Sequence, residues 1–295
     1  MRSIELFAGA GFAARGLHAA GCSPLALIER DRSAAASLAL NFPDAPIVCA
    51  DVADVNLCSY TGRVDLLWAS PPCQPYSKAG SRRGAADRRD GWPLVLAAVA
   101  ACRPTWVVVE NVPGCPAAAW INDLKRAGYP WSGSATIDAA DHGVPQHRKR
   151  VFVIAGPHGL RWPDPTHCEQ PQQTTFWGAQ RQRWSACGDA IGGPVYMFAT
   201  HPEGAASVTA RRVRDLTRRP CVCIGVYKGK NLAGQPWTTA NGQRRDLTVQ
   251  ELLILQGAAD HQLSGSISSK RRQIGNAVAP VVSMRIAAAL QRAVS

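Results

Sequence analysis

The sequence predicts an α/β fold: a doubly wound, mostly parallel sheet with a smaller second lobe. Three observations predict it. Short apolar runs alternate with stretches of helical length through about residue 156, the pattern of repeated strand–helix units. Each run closes on glycines, an acid or a cysteine-containing turn. After Pro157 the alternation is lost, and Pro, Gln, Arg and Trp dominate to about residue 240.

Ser3 to Phe7 reads as a strand leading into Ala8-Gly-Ala-Gly11, and a helix from Phe12 to Ala20 ends at Gly21. Glycines between a first strand and a first helix let backbone approach a ligand closely. Ala14 stands where a dinucleotide fingerprint would have its third glycine. Pro24 to Asp31 is a second strand ending in Glu29, an acid placed to accept from ribose hydroxyls. Asp31 is placed to cap the Ala-rich helix Ser33 to Leu40. Ile47 to Asp51 is a third strand, again ending in an acid.

Val64 to Trp68 is a fourth strand, stopped by Pro71-Pro72, which can neither continue a ladder nor start a helix at once. Cys73 therefore stands at the mouth of a strand-to-loop turn. The loop after it, Ser77 to Arg89, is rich in Gly, Ser, Ala and Arg, a composition that suits a lid closing on a polyanion. Trp92 to Cys102 is helical. Thr105 to Val112, apolar on both faces, reads as a central parallel strand ending in Glu110-Asn111. Ala117 to Ala127 is helical, and Val151 to Ala155 is a strand entered through Gln146-His-Arg-Lys-Arg150. Beyond the irregular region, Thr248 to Gln256 is a helix opened by a capping box with Glu251. Val281 to Ala293 is the last helix. Ligands of such sheets bind outside the carboxyl ends of strands, so Gly9, Glu29, Asp51, Cys73 and Glu110 are expected along one edge. A single cysteine is ordinarily a small core residue; sharing an edge with four strand-end residues moves Cys73 away from that reading.

A chain of 295 residues with 46% hydrophobic content can bury a large core. Its net charge of +12 points to a polyanionic partner. The start, Met1-Arg-Ser-Ile-Glu-Leu-Phe7, enters a strand pattern rather than a signal peptide, and no apolar run is expected to span a bilayer. Ten cysteines without a secreted framework indicate free thiols in a reducing compartment. The expectation is a monomer in the cytoplasm of a prokaryotic cell, or one encoded by a phage and acting in its host's cytoplasm.

The glycine loop and two acid-ended strands suit a nucleoside cofactor. No Walker A sequence is present, and the missing third glycine argues against a dinucleotide, so S-adenosyl-L-methionine fits better. A thiol and a carboxyl beside a methyl donor suit C5 of cytosine. A thiolate adding at C6 makes C5 enamine-like and able to attack a methyl sulfonium. Glu110, carrying or sharing a proton, would hydrogen-bond ring N3, with Arg150 near O2. Arg148, Arg150 and the loop arginines are expected to lower the Cys73 pKa.

Glu5-Leu-Phe-Ala-Gly-Ala-Gly11, Pro71-Pro-Cys-Gln-Pro-Tyr-Ser77, Glu110-Asn-Val112, Gln146-His-Arg-Lys-Arg150, Arg245-Asp-Leu-Thr-Val-Gln-Glu251 with Leu255-Gln-Gly257, and Gln273-Ile-Gly-Asn-Ala-Val278 resemble, in order, the motifs of DNA (cytosine-5-)-methyltransferases. The resemblance covers residues 1 to about 156 and 240 to 295. It implies the Rossmann-like fold of S-adenosylmethionine-dependent methyltransferases and double-stranded DNA as partner. It implies that Cys73 is the nucleophile, that Glu110 is the N3 partner, and that Arg148 and Arg150 orient the cytosine and Glu110. It implies a cofactor site lined by Phe7, Gly9, Gly11, Glu29, Asp51, Pro72 and Asn276. It divides the chain into a catalytic and cofactor-binding part (1–156), a target-recognition region (157–240) and a C-terminal segment returning to the catalytic part (241–295). DNA contacts are expected from Ser77, Arg82, Arg83, Arg211 and Arg212, with the target base flipped out of the duplex. The chain departs from the family's pattern at Phe12, where a second glycine is common, and at Ala258-Ala259, where Phe-Pro is common.

Two other readings share the fold: a catalytically inactive DNA-binding relative and an RNA cytosine-5 methyltransferase. Inactive copies usually lose the Pro-Cys, the Glu-Asn-Val or the glycines, all present here; the tRNA-acting branch carries a Cys-Phe-Thr signature that this chain lacks. A zinc deaminase would need a second cysteine where Tyr76 stands. His167, Cys168, Cys187, His201, Cys221 and Cys223 match no metal-site spacing, and no metal is expected. Trp162, Trp177, Trp184 and Trp237 are expected to form the core of the small lobe.

Overall fold

In the computed structural model, which describes residues 1–73, 90–171, 181–198, 213–225 and 236–294, the alternation of the first half becomes a seven-stranded sheet. Along the chain come β1 (Arg2–Leu6), α1 (Phe12–Ala19), β2 (Ser23–Ile28), α2 (Arg32–Asn41), a short β3 (Ile47–Val48), β4 (Leu66–Ala69), α3 (Trp92–Cys102), β5 (Trp106–Asn111), α4 (Ala117–Arg126), β6 (Trp131–Asp138) and β7 (Lys149–Gly156). The strand order is β3-β2-β1-β4-β5-β7-β6. β1 to β5 pair in parallel. The chain winds outward from β1 to β3 and then returns to β1's other side as β4. The crevice between β1 and β4 is thus the switch point at which ligands of such sheets bind.

The strands that read as continuous apolar runs are buried on both faces. Val107, Val109, Val153 and Ala155 join one core cluster with α3 and α4. Trp106, Val108, Phe152 and Ile154 alternate onto the opposite face, as the two-residue period of a strand requires.

Three elements differ from expectation. The third strand is only Ile47–Val48, because Asp51 turns the chain instead, accepting from the Ala53 amide at 3.2 Å. β7 runs antiparallel to β5, and β6 runs antiparallel to β7. β6 itself is unforeseen: Trp131-Ser-Gly-Ser-Ala-Thr-Ile-Asp138 lacks an apolar run because it is a half-exposed edge strand.

The second half begins with β8 (His167–Cys168), β9 (Gln182–Arg183) and α5 (Cys187–Ile191). β10 (Tyr196–Phe198), β11 (Val213–Asp215), β12 (Pro236–Ala240) and β13 (Gln243–Asp246) form an antiparallel sheet in the order β11-β10-β12-β13. The tryptophans divide: Trp237 is buried and packs on Tyr196, Trp162 packs against the main core, and the Trp184 indole donates to Asp141 at 2.9 Å. Of these three only Trp237 packs as expected of a small-lobe core, and Trp177 lies outside the described residues.

α6 (Val249–Leu255) opens with the Thr248–Glu251 capping box, and α7 (Ile267–Asn276) and α8 (Pro280–Val294) follow. This last part packs back on the first helices. Ser283 donates to Ala13 O at 3.0 Å, Ser37 donates to Gln273 Oε1 at 2.7 Å, and the His261 ring donates to Ala10 O at 2.7 Å. By length and composition Ile267–Val294 could cross a bilayer, contrary to the sequence expectation. It is two helices broken at residues 277–279, and 56% of its apolar window is buried inside the fold.

Candidate active site

The carboxyl ends of β1 to β5 open onto one cleft of ≈ 340 Å³, lined among others by Phe7, Gly9, Glu29, Asp51, Pro72, Cys73, Glu110, Arg150 and Asn276. Arg150 reaches it because β7 is antiparallel: its amino end meets the carboxyl end of β5, with Asn111 opposite Val151.

The loop after β1 is shaped by left-handed backbone at Phe7 (φ 57°), Gly9 (φ 58°) and Gly11 (φ 86°). Gly9 lines the cleft, and its amide donates to Glu29 Oε2 at 2.8 Å, while Glu29 Oε1 accepts from the Asp31 amide at 2.7 Å. Glu29 thus ties the ends of β1 and β2 together. Gly11 acts from behind the loop: a Cβ there would lie 2.6 Å from Leu38 and 2.7 Å from Phe42. Phe12, the departure from the family pattern, is buried and stacks on His261 at 4.3 Å. Ala258 is likewise buried in the same cluster as Phe12.

This end of the cleft is acidic. Glu5, Glu29, Asp31 and Asp51 line it. Its two arginines are engaged, Arg30 with Asp51 at 3.0 Å and Arg272 with Asp31 at 2.8 Å. One oxygen of buried Glu5 has no hydrogen-bond partner, and burial, then Glu29, hold its carboxyl well above the usual range. Such a wall suits a cationic nucleoside better than a pyrophosphate, and S-adenosylmethionine, a sulfonium, fits it.

At the other end stand the thiol and the acid. Arg150 Nε lies 3.0 Å from Glu110 Oε1, with both side chains largely buried. Burial raises the Glu110 pKa; Arg150, Arg148 and a hydrogen bond from Ser70 offset part of that. Cys73 is also raised, by burial first and by Glu110 second, and the two arginines only partly relieve it. The expected lowering of the thiol by its basic neighbours is not met, because desolvation outweighs them here.

Arg148 lies one layer back and is not among the described residues that line the cleft. It is buried, and its guanidinium donates to Ile224 O at 2.9 Å and to Gly275 O at 2.7 Å. It thereby clamps β7, residues 221–225 and α7 to one another. Residues given no role in the sequence analysis hold the turn itself. Asn111 donates to Pro71 O at 3.1 Å. A Cβ on Gly91 would lie 2.8 Å from Pro71 and 3.1 Å from Phe7, so this glycine at the start of α3 seats the Pro-Pro turn. Only adjacence to Glu110 and to a helix start could have signalled them. Ser77, Arg82, Arg83, Arg211 and Arg212 lie outside the described residues.

Residues 1–292 match the family model for C-5 cytosine-specific DNA methylases. The chain is similar to the Type II methyltransferase M.AplI of Arthrospira platensis, 30% identical over 96% of this chain and 84% of that protein. It is similar to the Type II methyltransferase M.NgoMIV of Neisseria gonorrhoeae, 31% identical over 95% of this chain and 94% of that protein. In fold it resembles the crystal structure of the S. pombe Dnmt2 methyltransferase, with a TM-score of 0.71, 18% identity and 99% of each chain covered.

Proposed function

The chain belongs to the C-5 cytosine-specific DNA methylases, enzymes that use S-adenosyl-L-methionine, and from that premise we propose that it methylates C5 of a flipped-out cytosine within a specific DNA sequence through a covalent Cys73–C6 adduct. The observation that carries the reading is the meeting of Cys73, Glu110 and Arg150 at one end of a cleft whose other end is acidic.

Phe7, Gly9, Glu29, Asp51, Pro72 and Asn276 would hold S-adenosylmethionine, with Gly11 supporting their loop. When bound, it supplies an electrophilic methyl group. Cys73, as thiolate, forms a bond to C6 of the base and pushes electron density toward C5. Burial raises the pKa of Glu110, so its carboxyl would more readily take up a proton and donate it to N3 as negative charge develops there. Arg150, held on Glu110, would stand as a cation near O2. Once C5 carries the methyl group, a base removes the C5 proton, the Cys73–C6 bond breaks and the ring is restored. Residues 157–240 would read the target sequence, with residues 1–156 and 241–295 forming the catalytic body. The Type II relatives support a role as the modification half of a restriction–modification pair.

The test is duplex DNA carrying 5-fluorocytosine at the target. Fluorine cannot leave as a proton does, so elimination stalls after methyl transfer. The expected result is a band shifted on a denaturing gel that requires both S-adenosylmethionine and Cys73. No shifted band, where ordinary DNA is methylated, would rule out addition at C6.

A further inference from the structure

A second sulfur lies behind the reacting groups. Cys223 Sγ is 3.3 Å from Arg148 Nη1, and 3.8 Å and 4.0 Å from Arg150 Nη1 and Nη2. Both guanidiniums therefore point at one atom. We propose that Cys223, as a thiolate, is a positioning residue for the methyl transfer, the fixed anion that holds Arg148 and Arg150 together and keeps Arg150 on Glu110. This rests on the reaction proposed above.

The charges around the site require such an anion. Arg148 and Arg150 are close like charges in a poorly solvated place, and Arg148 is displaced below its usual pKa, by burial first and by Arg150 second. Glu110 offsets one of the two charges while it is ionised. In the reaction Glu110 carries a proton toward N3, and its negative charge is then absent. Two buried guanidiniums would be left facing each other without a compensating charge, a strongly unfavourable arrangement in a poorly solvated place. An anion that does not take part in proton transfer keeps them in place. Cys73 cannot serve, since its sulfur becomes bonded to the base.

The surroundings of Cys223 support the assignment. From β7 it faces Arg148 and Arg150, with Cys73 and Glu110 beyond them; within its own segment its titratable neighbour is Cys221, which burial holds high as a neutral thiol. Burial works to raise Cys223 as well, but the two guanidiniums more than offset it, and the net shift is downward. Of Cys73 and Cys223, the thiol that does not bond to the base is thus the one that ionises more readily.

The first arm of the test needs no activity. The intact protein is labelled with trace iodoacetamide over a pH series, and each cysteine is read by mass spectrometry. Cys223 should reach its plateau rate at lower pH than the exposed Cys49 and Cys58, and Arg150→Gln should move its curve upward. A Cys223 curve that coincides with those two, or lies above them, overturns the proposal. The second arm measures single-turnover methyl transfer. Cys223→Ser, similar in size but neutral, should slow transfer by roughly tenfold or more with S-adenosylmethionine affinity unchanged. Cys223→Asp, which restores the charge, should transfer faster than Cys223→Ser. A serine variant as fast as wild type, or faster than the aspartate variant, refutes the role. A wild-type protein that transfers no methyl group would refute the reaction, while the labelling curves still decide whether the sulfur is anionic.

Discussion

In the reaction proposed above, Cys73 would have two tasks that pull its environment in opposite directions. It must be dry enough to meet a base, yet ionised when it adds. Burial and Glu110 hold its thiol up in the free protein, so the thiolate fraction is small at neutral pH and grows about tenfold per pH unit below the pKa. Glu110→Gln removes a carboxylate that raises Cys73, so the expected pKa of Cys73 falls. Alkylation of Cys73 at a fixed, mildly alkaline pH should therefore speed up in this variant, while methyl transfer slows because an amide cannot pass a proton at N3. Slower alkylation would show that Glu110 does not govern the thiol. Cys73→Ala should lose methyl transfer and keep S-adenosylmethionine binding by calorimetry, since the cofactor end of the cleft is built from other residues. Retained turnover would end the covalent mechanism.

At the scale of elements, the contact between α1 and α8 is unusually close. A Cβ on Gly16 would lie 2.0 Å from Pro280 O and 2.1 Å from Ser283 Oγ. Gly16→Ala must push the two helices apart, and a destabilisation of about 1–3 kcal/mol in urea unfolding is expected. A variant as stable as wild type would show that the helices can separate freely. Gly16 carried no sign of this in the sequence, because a glycine inside a helix looks the same whether it faces solvent or a neighbour. The same limit explains the other omissions. β4 and β5 were legible because both faces are apolar, and Asp31 was legible as a cap by its position before a helix. β6 is an edge strand with little to bury, and the direction of β7 depends on pairing, which local pattern does not record. Glu110 and Arg150 were found because each stands at a strand's end, and Cys73 because it sits in the proline turn just beyond one. Cys223 and Gly91 were not, because they act on residues far away in the chain.

For the whole molecule, the net charge of +12 should appear as a steep salt dependence of DNA affinity, through release of counterions from phosphates. Binding that is flat with salt would mean that these charges do not meet DNA. Exchange of residues 157–240 for those of a relative should move the methylated sequence and leave the chemistry unchanged, as read by sequencing methylated bases in DNA from expressing cells. An unchanged site after a folded exchange would refute the division of the chain.

The return of the last helices onto the first also sets an order in time. Ala10, in the cofactor loop, is held by His261 across 251 positions, and Ala13 by Ser283 across 270. Contacts so distant in sequence form late and slowly. During synthesis, at about 5–20 residues per second, the glycine loop is made early and then waits on the order of tens of seconds for the residues that brace it. A nascent chain that has not yet reached His261 and Ser283 therefore carries Cys73 and Glu110 beside a glycine loop that is still unbraced, and the loop is fixed only once those later residues have been made.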